Sequence, residues 1–174
     1  MQLNGARCTV RPFVRSDAPT LAASANDQRI FSQLRDVFPY PYTLPDADAY
    51  IARVGALNPP RCLAIVVDGE AVGTVGLELM TDVNRRNAEI GYWLGVAYWG
   101  RGIGTEAVSL VSAWAFSTHA LLRLFALPFA DNQASRRVLE KCGYVLEGIA
   151  RRSAVKSGVV RDQCLYARLS ETPV

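Results

Sequence analysis

Histidine is nearly absent from this 174-residue chain, where His119 stands alone. A histidine-based nucleophilic triad and a histidine-bearing zinc site are therefore disfavoured, and His119 reads as structural. The four cysteines, Cys8, Cys62, Cys142 and Cys164, show no C-x-x-C spacing, so no metal is expected. The first eleven residues lack the apolar core of a signal peptide, and scattered cysteines in such a chain fit a reduced, cytoplasmic setting. Disorder is excluded by composition: half the residues are apolar and 20% are charged. There is no low-complexity tract and no internal repeat, and the length suits a single domain over residues 1–174. No apolar run reaches membrane length. The nearest, residues 107–122, is broken by Ser109, Ser112, Ser117, Thr118 and His119 and reads as a buried helix followed by a buried strand. No membrane partner is expected.

The net charge of +3 is too small to indicate a nucleic-acid partner, and no aromatic-basic platform is present. Its distribution is more informative. Residues 1–119 carry ten basic and eleven acidic side chains, whereas residues 120–168 carry nine and four. The last third is thus either the home of an anionic ligand or a solvated basic face.

Hydrophobic periodicity and turn residues predict the order strand, helices, three strands, helix, strand, helix, two strands. Thr9–Phe13 reads as a strand, and Ser16-Asp17 with Pro19 opens a first helix. Residues 26–34 form a second, weaker helical piece. Prolines exclude a helix over Phe38-Pro39-Tyr40-Pro41-Tyr42, which is expected as an exposed aromatic loop. Thr43-Leu44-Pro45-Asp46 resembles a capping box starting a helix to about Leu57. Strands over 62–67 and 71–80 flank Asp68-Gly69, a hairpin turn. A third strand covers 88–96, a helix runs to about Ser117, and 122–127 is a strand. Asn132–Cys142 is a helix ended by Gly143, and strands over 144–152 and 159–169 close the chain. Hairpins combined with two strand-helix crossovers imply an α+β fold, a mixed α/β sandwich with helices on both faces of the sheet.

Glycines at 100, 102 and 104 lie between the third strand and the helix after it. They let the backbone approach a ligand closely, and the free N–H groups of the helix start suit a phosphate. A P-loop is excluded, because Arg101-Gly102 stand where Lys and Ser/Thr are required. Gly102-x-Gly104-x-x-Ala107 matches a dinucleotide fingerprint, but the following strand offers Arg123 and no carboxylate.

Trp99 to Gly104 resembles the Q/R-x-x-G-x-G/A pyrophosphate loop of the GNAT superfamily of N-acetyltransferases. Two further stretches agree. Glu89-Ile90-Gly91-Tyr92-Trp93-Leu94 is similar to the strand before that loop. Asn132 to Tyr144 is similar to the N-x-x-S-x-x-x-L-E-K-x-G-F/Y helix late in the fold. The combination most resembles the RimJ/RimL-like branch, ribosomal-protein N-terminal acetyltransferases, across nearly the whole chain. Trp99 departs from the superfamily pattern, which has Gln or Arg there.

The resemblance implies a mostly antiparallel mixed sheet and acetyl-CoA as co-substrate. It implies backbone contacts to pantetheine from the strand around Trp93, Leu94 and Val96, and pyrophosphate binding by the amides of Arg101, Gly102, Ile103, Gly104 and Thr105. Asn132 would contact pantetheine or order a water, unless it is a plain N-cap. Ser135, one turn later, is the candidate proton donor, or else a small residue that lets coenzyme A pass. Acetyl transfer to an amine needs a base and no covalent enzyme intermediate. Strand alternation puts Glu89, Gly91 and Trp93 on one face, making Glu89 the candidate base, with Glu78 second. The competing reading pairs Glu89 with Arg85 or Arg86. Cys142 is assigned to helix packing. The acceptor is an amine, either a peptide N-terminus or a small molecule, and Phe38, Tyr40 and Tyr42 either line its groove or cover the core. A homodimer is left open. The rival reading is an acyl-CoA-binding sensor or interaction module without turnover.

Overall fold

Leu63, Ile65 and Val67 alternate with Ala64 and Val66, and all five are buried, so this strand is covered on both faces. It is the third of eight strands in the computed structural model, which describes residues 1–171. The strands are β1 (Leu3–Asn4), β2 (Thr9–Pro12), β3 (Cys62–Val67), β4 (Glu70–Leu79), β5 (Asn87–Leu94), β6 (Arg123–Ala126), β7 (Val145–Lys156) and β8 (Val159–Leu169). The helices are α1 (Ala18–Ala25), α2 (Gln28–Phe31), α3 (Leu44–Gly55), α4 (Ile103–His119) and α5 (Gln133–Lys141).

One sheet takes the order β1-β2-β3-β4-β5-β6-β8-β7, with β5 and β6 its parallel pair. Asp68 (φ 50°) and Gly69 (φ 85°) make the β3–β4 hairpin turn expected of Asp-Gly. The α5 crossover ends differently from a simple strand-helix-strand unit. Its strand β7 lies at the sheet edge, and β8 returns antiparallel to insert between β6 and β7. The two-residue β1 carries too little pattern to be read from sequence, and β5 stops at Leu94 where the strand was expected to continue to Val96.

Helices cover both faces. Ala88, Ile90 and Leu94 of β5 join Val108, Val111 and Ala115 of α4 in the main core. On the opposite face, Trp93 packs with Tyr42 and residues of α1 and α3. Ser112 is fully buried in α4, and its hydroxyl is satisfied by the Tyr144 phenol at 2.8 Å. Among the described residues no helix is long and apolar enough to cross a membrane. The capping box at Thr43 and Asp46 forms as read, whereas the aromatic loop is not wholly exposed: Tyr42 is buried and Phe38 half-buried against Trp93. Apolar rings in a loop gain more by covering the α1–α3 core than by facing water.

Glu106, in the first turn of α4, ties the chain start to the helix. It accepts hydrogen bonds from the backbone N–H groups of Ala6 (3.0 Å), Arg7 (2.7 Å) and Cys8 (2.9 Å). Burial alone would raise its carboxyl pKa, but these amides outweigh burial and hold it below the ordinary value of 4.5. Glu106→Ala orphans three donors and is expected to destabilise the fold by about 2–3 kcal/mol. A depressed folded-state pKa means that the contribution is present above pH 4.5 and is lost as pH falls through the lower folded value. The gap in melting temperature between the variant and the native chain should therefore close on acidification. A gap that stays constant with pH overturns this account.

Candidate active site

β5 and β6 run parallel only from Asn87 to Glu89, opposite Arg123 to Phe125. Beyond Glu89 the strands part, and the gap opens into a cleft of about 440 Å³ bounded by β5, the glycine turn, the start of α4 and the first turns of α5. Alternation along the β4–β5 ladder decides which backbone groups face it. Met80 N–H donates to Asn87 O (3.0 Å) and Gly95 N–H to Val72 O (2.8 Å), so the odd-numbered residues of β5 turn their backbone toward β4. The even-numbered ones turn the other way. The backbone of Tyr92 and the N–H of Leu94 thus face the parted side with no strand beyond them. Trp93 has its backbone in the β4 ladder, and it lends the cleft its ring instead.

At the far end of β5 the chain makes a short 3-10 turn over Val96–Tyr98 and enters the glycine run. Gly100 (φ 75°) and Gly102 (φ 77°) adopt left-handed conformations that favour glycine. Glu106 N–H donates to Gly102 O (3.0 Å), the first bond of α4, so the N–H groups of Ile103, Gly104 and Thr105 precede any helical partner. A Cβ built on Gly104 meets nothing within 4 Å. Open space therefore lies beside the backbone at Gly104, with the positive end of the helix dipole behind it. Trp99 anchors this turn: its Nε1 donates to Leu94 O at 2.7 Å, a role sequence could not assign because it joins two backbone segments through a side chain.

All the expected site residues except Val96 and Arg101 line the cleft. Val96 falls in the 3-10 turn because β5 ends two residues earlier, and the Arg101 guanidinium sits 5.5 Å over the Tyr98 ring. Asn132 is the N-cap of α5, its side-chain oxygen accepting from Ser135 N–H at 3.0 Å, which leaves its amide nitrogen and the second lone pair of that oxygen to a ligand. Ser135 Oγ lies 2.8 Å from the Tyr92 hydroxyl, which is also 3.1 Å from Ser135 O. When the phenol donates to Oγ, the serine proton is free to point into the cleft. Burial raises the Tyr92 pKa above the ordinary phenol value, keeping it a donor. Tyr92 was missed at the sequence level because strand alternation sets it opposite Glu89, and its proximity to α5 is a tertiary contact.

Glu89 is paired, but with neither Arg85 nor Arg86. Arg85 donates to Asp82 O in its own loop, and Arg86 to Ala120 O at the end of α4. The partner is Arg35, whose Nη2 lies 2.7 and 2.8 Å from the two carboxylate oxygens. Fifty-four positions separate the two, and nothing in a sequence marks such a pair. Glu78 sits directly opposite Glu89 on β4 and does not line the cleft.

The basic surplus of residues 120–168 is mostly structural. Arg123 pairs with Glu147, Lys156 with Asp36 and Arg161 with Asp131, while Arg136 and Arg168 bind carbonyls. Arg137 and Lys141 of α5 do line the cleft. Cys142 and Cys8 are buried and engaged in packing. Burial pushes the Cys142 thiol up to about 11, and its Sγ contacts Thr105 O at 3.2 Å, tying α5 to α4 as packing. Burial, aided by Glu106, pushes Cys8 up to about 12. Among the described residues no cluster of metal ligands occurs.

Comparison with known proteins adds relatives to this geometry. A family model for the acetyltransferase (GNAT) domain matches residues 7–145. The probable N-acetyltransferase YjcK of Bacillus subtilis is 42% identical over 103 residues, covering 59% of this chain and 57% of the relative. The uncharacterized N-acetyltransferase YoaA of the same species is 37% identical over 98 residues, covering 56% and 55%. The matched stretch thus spans little more than half the length of these relatives. Among solved structures, Mycobacterium smegmatis RimJ in complex with CoA-disulfide superposes with a TM-score of 0.87 at 24% identity, covering 98% of this chain and 88% of that one. That likeness is one of fold.

Proposed function

The chain belongs to the GNAT acetyltransferase family, and from that premise we propose that it is an acetyl-CoA-dependent N-acetyltransferase acting on a primary amine within a ternary complex. The observation that carries the reading is the parted β5–β6 edge running into the open amides at the start of α4. These residues fit coenzyme A. The N–H groups of Ile103, Gly104 and Thr105 would hold the pyrophosphate, with Arg137 and Lys141 adding positive charge. The exposed backbone of Tyr92 and Leu94 would pair with the amide-rich pantetheine arm as a strand would.

The thioester end then lies toward Ser135 and Glu89. In the transfer, the amine nitrogen forms a bond to the acetyl carbonyl carbon and the carbon–sulfur bond breaks. Glu89 accepts the proton that the amine sheds, directly or through a water. The Leu94 N–H is placed to polarise the carbonyl oxygen. Ser135 passes its hydroxyl proton to the departing sulfur and takes one back from water as Glu89 releases its own to solvent, and Tyr92, when its phenol donates to Oγ rather than to the Ser135 carbonyl, stabilises the oxygen in between. The fold and the paired hydroxyls both support direct transfer. A cytoplasmic setting and a RimJ/RimL-like peptide acceptor remain part of this proposal.

The test has two stages. Acetyl-CoA at a hundredfold excess over its Kd should raise the melting temperature by roughly 5–10 °C. A thiol reagent should then detect free coenzyme A with at least one amine of a panel containing an alanine-tripeptide amide, spermidine and phenethylamine. No thermal shift overturns the ligand. A shift without thiol release from any amine overturns turnover and leaves a binding module.

A further inference from the structure

Glu89 and Glu78 occupy directly opposed positions of the β4–β5 ladder, in a pair whose side chains share one face of the sheet. Facing residues in such a ladder hold their Cβ atoms about 5 Å apart, and like charges there repel. A guanidinium touches only one of the two carboxylates. Arg35 binds Glu89 through a single nitrogen, while Glu78 is exposed and makes no ion pair or hydrogen bond among the described residues. The Arg35 side chain is 73% exposed and that of Glu89 only 19%. The arginine is therefore the movable member. Asp36, next to Arg35, binds Lys156 at 2.9 Å and Arg53 on α3 lies over the Tyr50 ring, while Arg61, whose carbonyl accepts from Leu77 N–H beside Glu78, lies near enough for both its charge and that of Glu78 to act on the Cys62 thiol.

Building on the transferase reading, we propose that Arg35 is an exchangeable plug and that Glu78 is the positioning residue that receives it, so that the site selects amines arriving as ammonium ions. While Arg35 holds Glu89, that carboxylate cannot take a proton from an acceptor. An incoming alkylammonium displaces the guanidinium from Glu89, and Arg35 swings across the ladder to Glu78. Two carboxylates then hold two cations, one from the protein and one from the substrate. The exchange leaves both carboxylates paired and relieves the Glu78–Glu89 repulsion. Glu89, released from arginine and facing the ammonium, accepts its proton and frees the nitrogen lone pair for attack; the second proton, shed once the carbon–nitrogen bond has formed, goes to the departing sulfur. An amine that is neutral before binding, such as an arylamine, offers nothing to trade for the guanidinium. The acceptor class is therefore aliphatic amines, including peptide α-amines.

The test compares Glu78→Gln, Arg35→Ala and the double variant, using the alkylamine of the panel that turns over fastest and p-anisidine as the neutral comparator. Glu78→Gln is expected to raise KM for the alkylamine about fivefold with kcat within twofold, because the plug is harder to move. In the Arg35→Ala background the same substitution should change KM less than about twofold, since there is no arginine left to receive. The low kcat/KM for p-anisidine should not respond to Glu78→Gln, and Glu78→Asp should restore alkylamine binding. An unchanged KM in Glu78→Gln, or an effect that persists without Arg35, overturns the plug. A misfolded variant would instead lower the acetyl-CoA thermal shift and affect both amines equally, and Glu78→Asp then decides. If no amine is acetylated at all, the transferase reading itself falls, and this inference falls with it.

Discussion

Replacing Gly104 with valine should abolish acetyl-CoA binding and leave the fold standing. Two glycines of the same turn make the contrast. Gly102 has φ 77°, and a Cβ there would come within 3.2 Å of the Arg7 guanidinium, so its substitution strains the backbone regardless of ligand. Gly104 has no such constraint. Its Cβ would enter open space, and glycine within a helix is less stable than alanine by about 0.5–1 kcal/mol, so the unliganded chain should hold or slightly gain stability. That open space is where the proposed pyrophosphate lies against the amides of Ile103, Gly104 and Thr105. Two methyl groups there exclude the anion by contact and separate it from its donors. We expect at least about a hundredfold rise in KM for acetyl-CoA, equivalent to losing two or three charge-assisted hydrogen bonds, and no thermal shift on adding the ligand. Gly104→Ala should fall between. A normal thermal shift in Gly104→Val would remove the amide cradle from the site.

Glu89→Gln should lower kcat by about 10²- to 10⁴-fold, the range for removing a positioned base. The substitution keeps the shape of the side chain. It breaks an ion pair whose arginine is largely in water, and such pairs contribute at most about 1 kcal/mol, so melting temperature should scarcely move. KM for acetyl-CoA should be unchanged, since Glu89 lies beyond the proposed thioester end of the cleft. Steady-state kinetics with the acetyl-CoA thermal shift as control separate these effects. A kcat within threefold of the native chain would show that the amine loses its proton elsewhere.

Much of the site was legible because its parts are local. Gly100, Gly102 and Gly104 stand between a strand and a helix in the sequence itself, and a helix start with free N–H groups needs only consecutive residues. Asn132 and Ser135 share one helical turn, so their relation follows from helix geometry, and the N-cap bond between them is the local one that such spacing produces. Glu89 and Trp93 share a strand face by the period of two. The limits of local reading appear where a backbone changes state: extending β5 by two residues placed Val96 in the cleft, whereas the bond from Gly95 N–H to Val72 O is the last of the ladder and the chain then turns.

The sequence by itself determined the alternation of elements, the glycine turn and the caps at Thr43 and Asn132, because each depends on residue type and near spacing. Tertiary structure alone decided that β8 inserts between β6 and β7 and that β5 and β6 part after Glu89. It also set the Tyr92 phenol against Ser135 and brought Arg35, rather than Arg85 or Arg86, to Glu89. The physical reason is the same throughout. Hydrogen bonds and ion pairs between distant segments are chosen by whichever surfaces the packed sheet and helices bring within about 3 Å, and side-chain chemistry alone offers several equivalent partners for each charge.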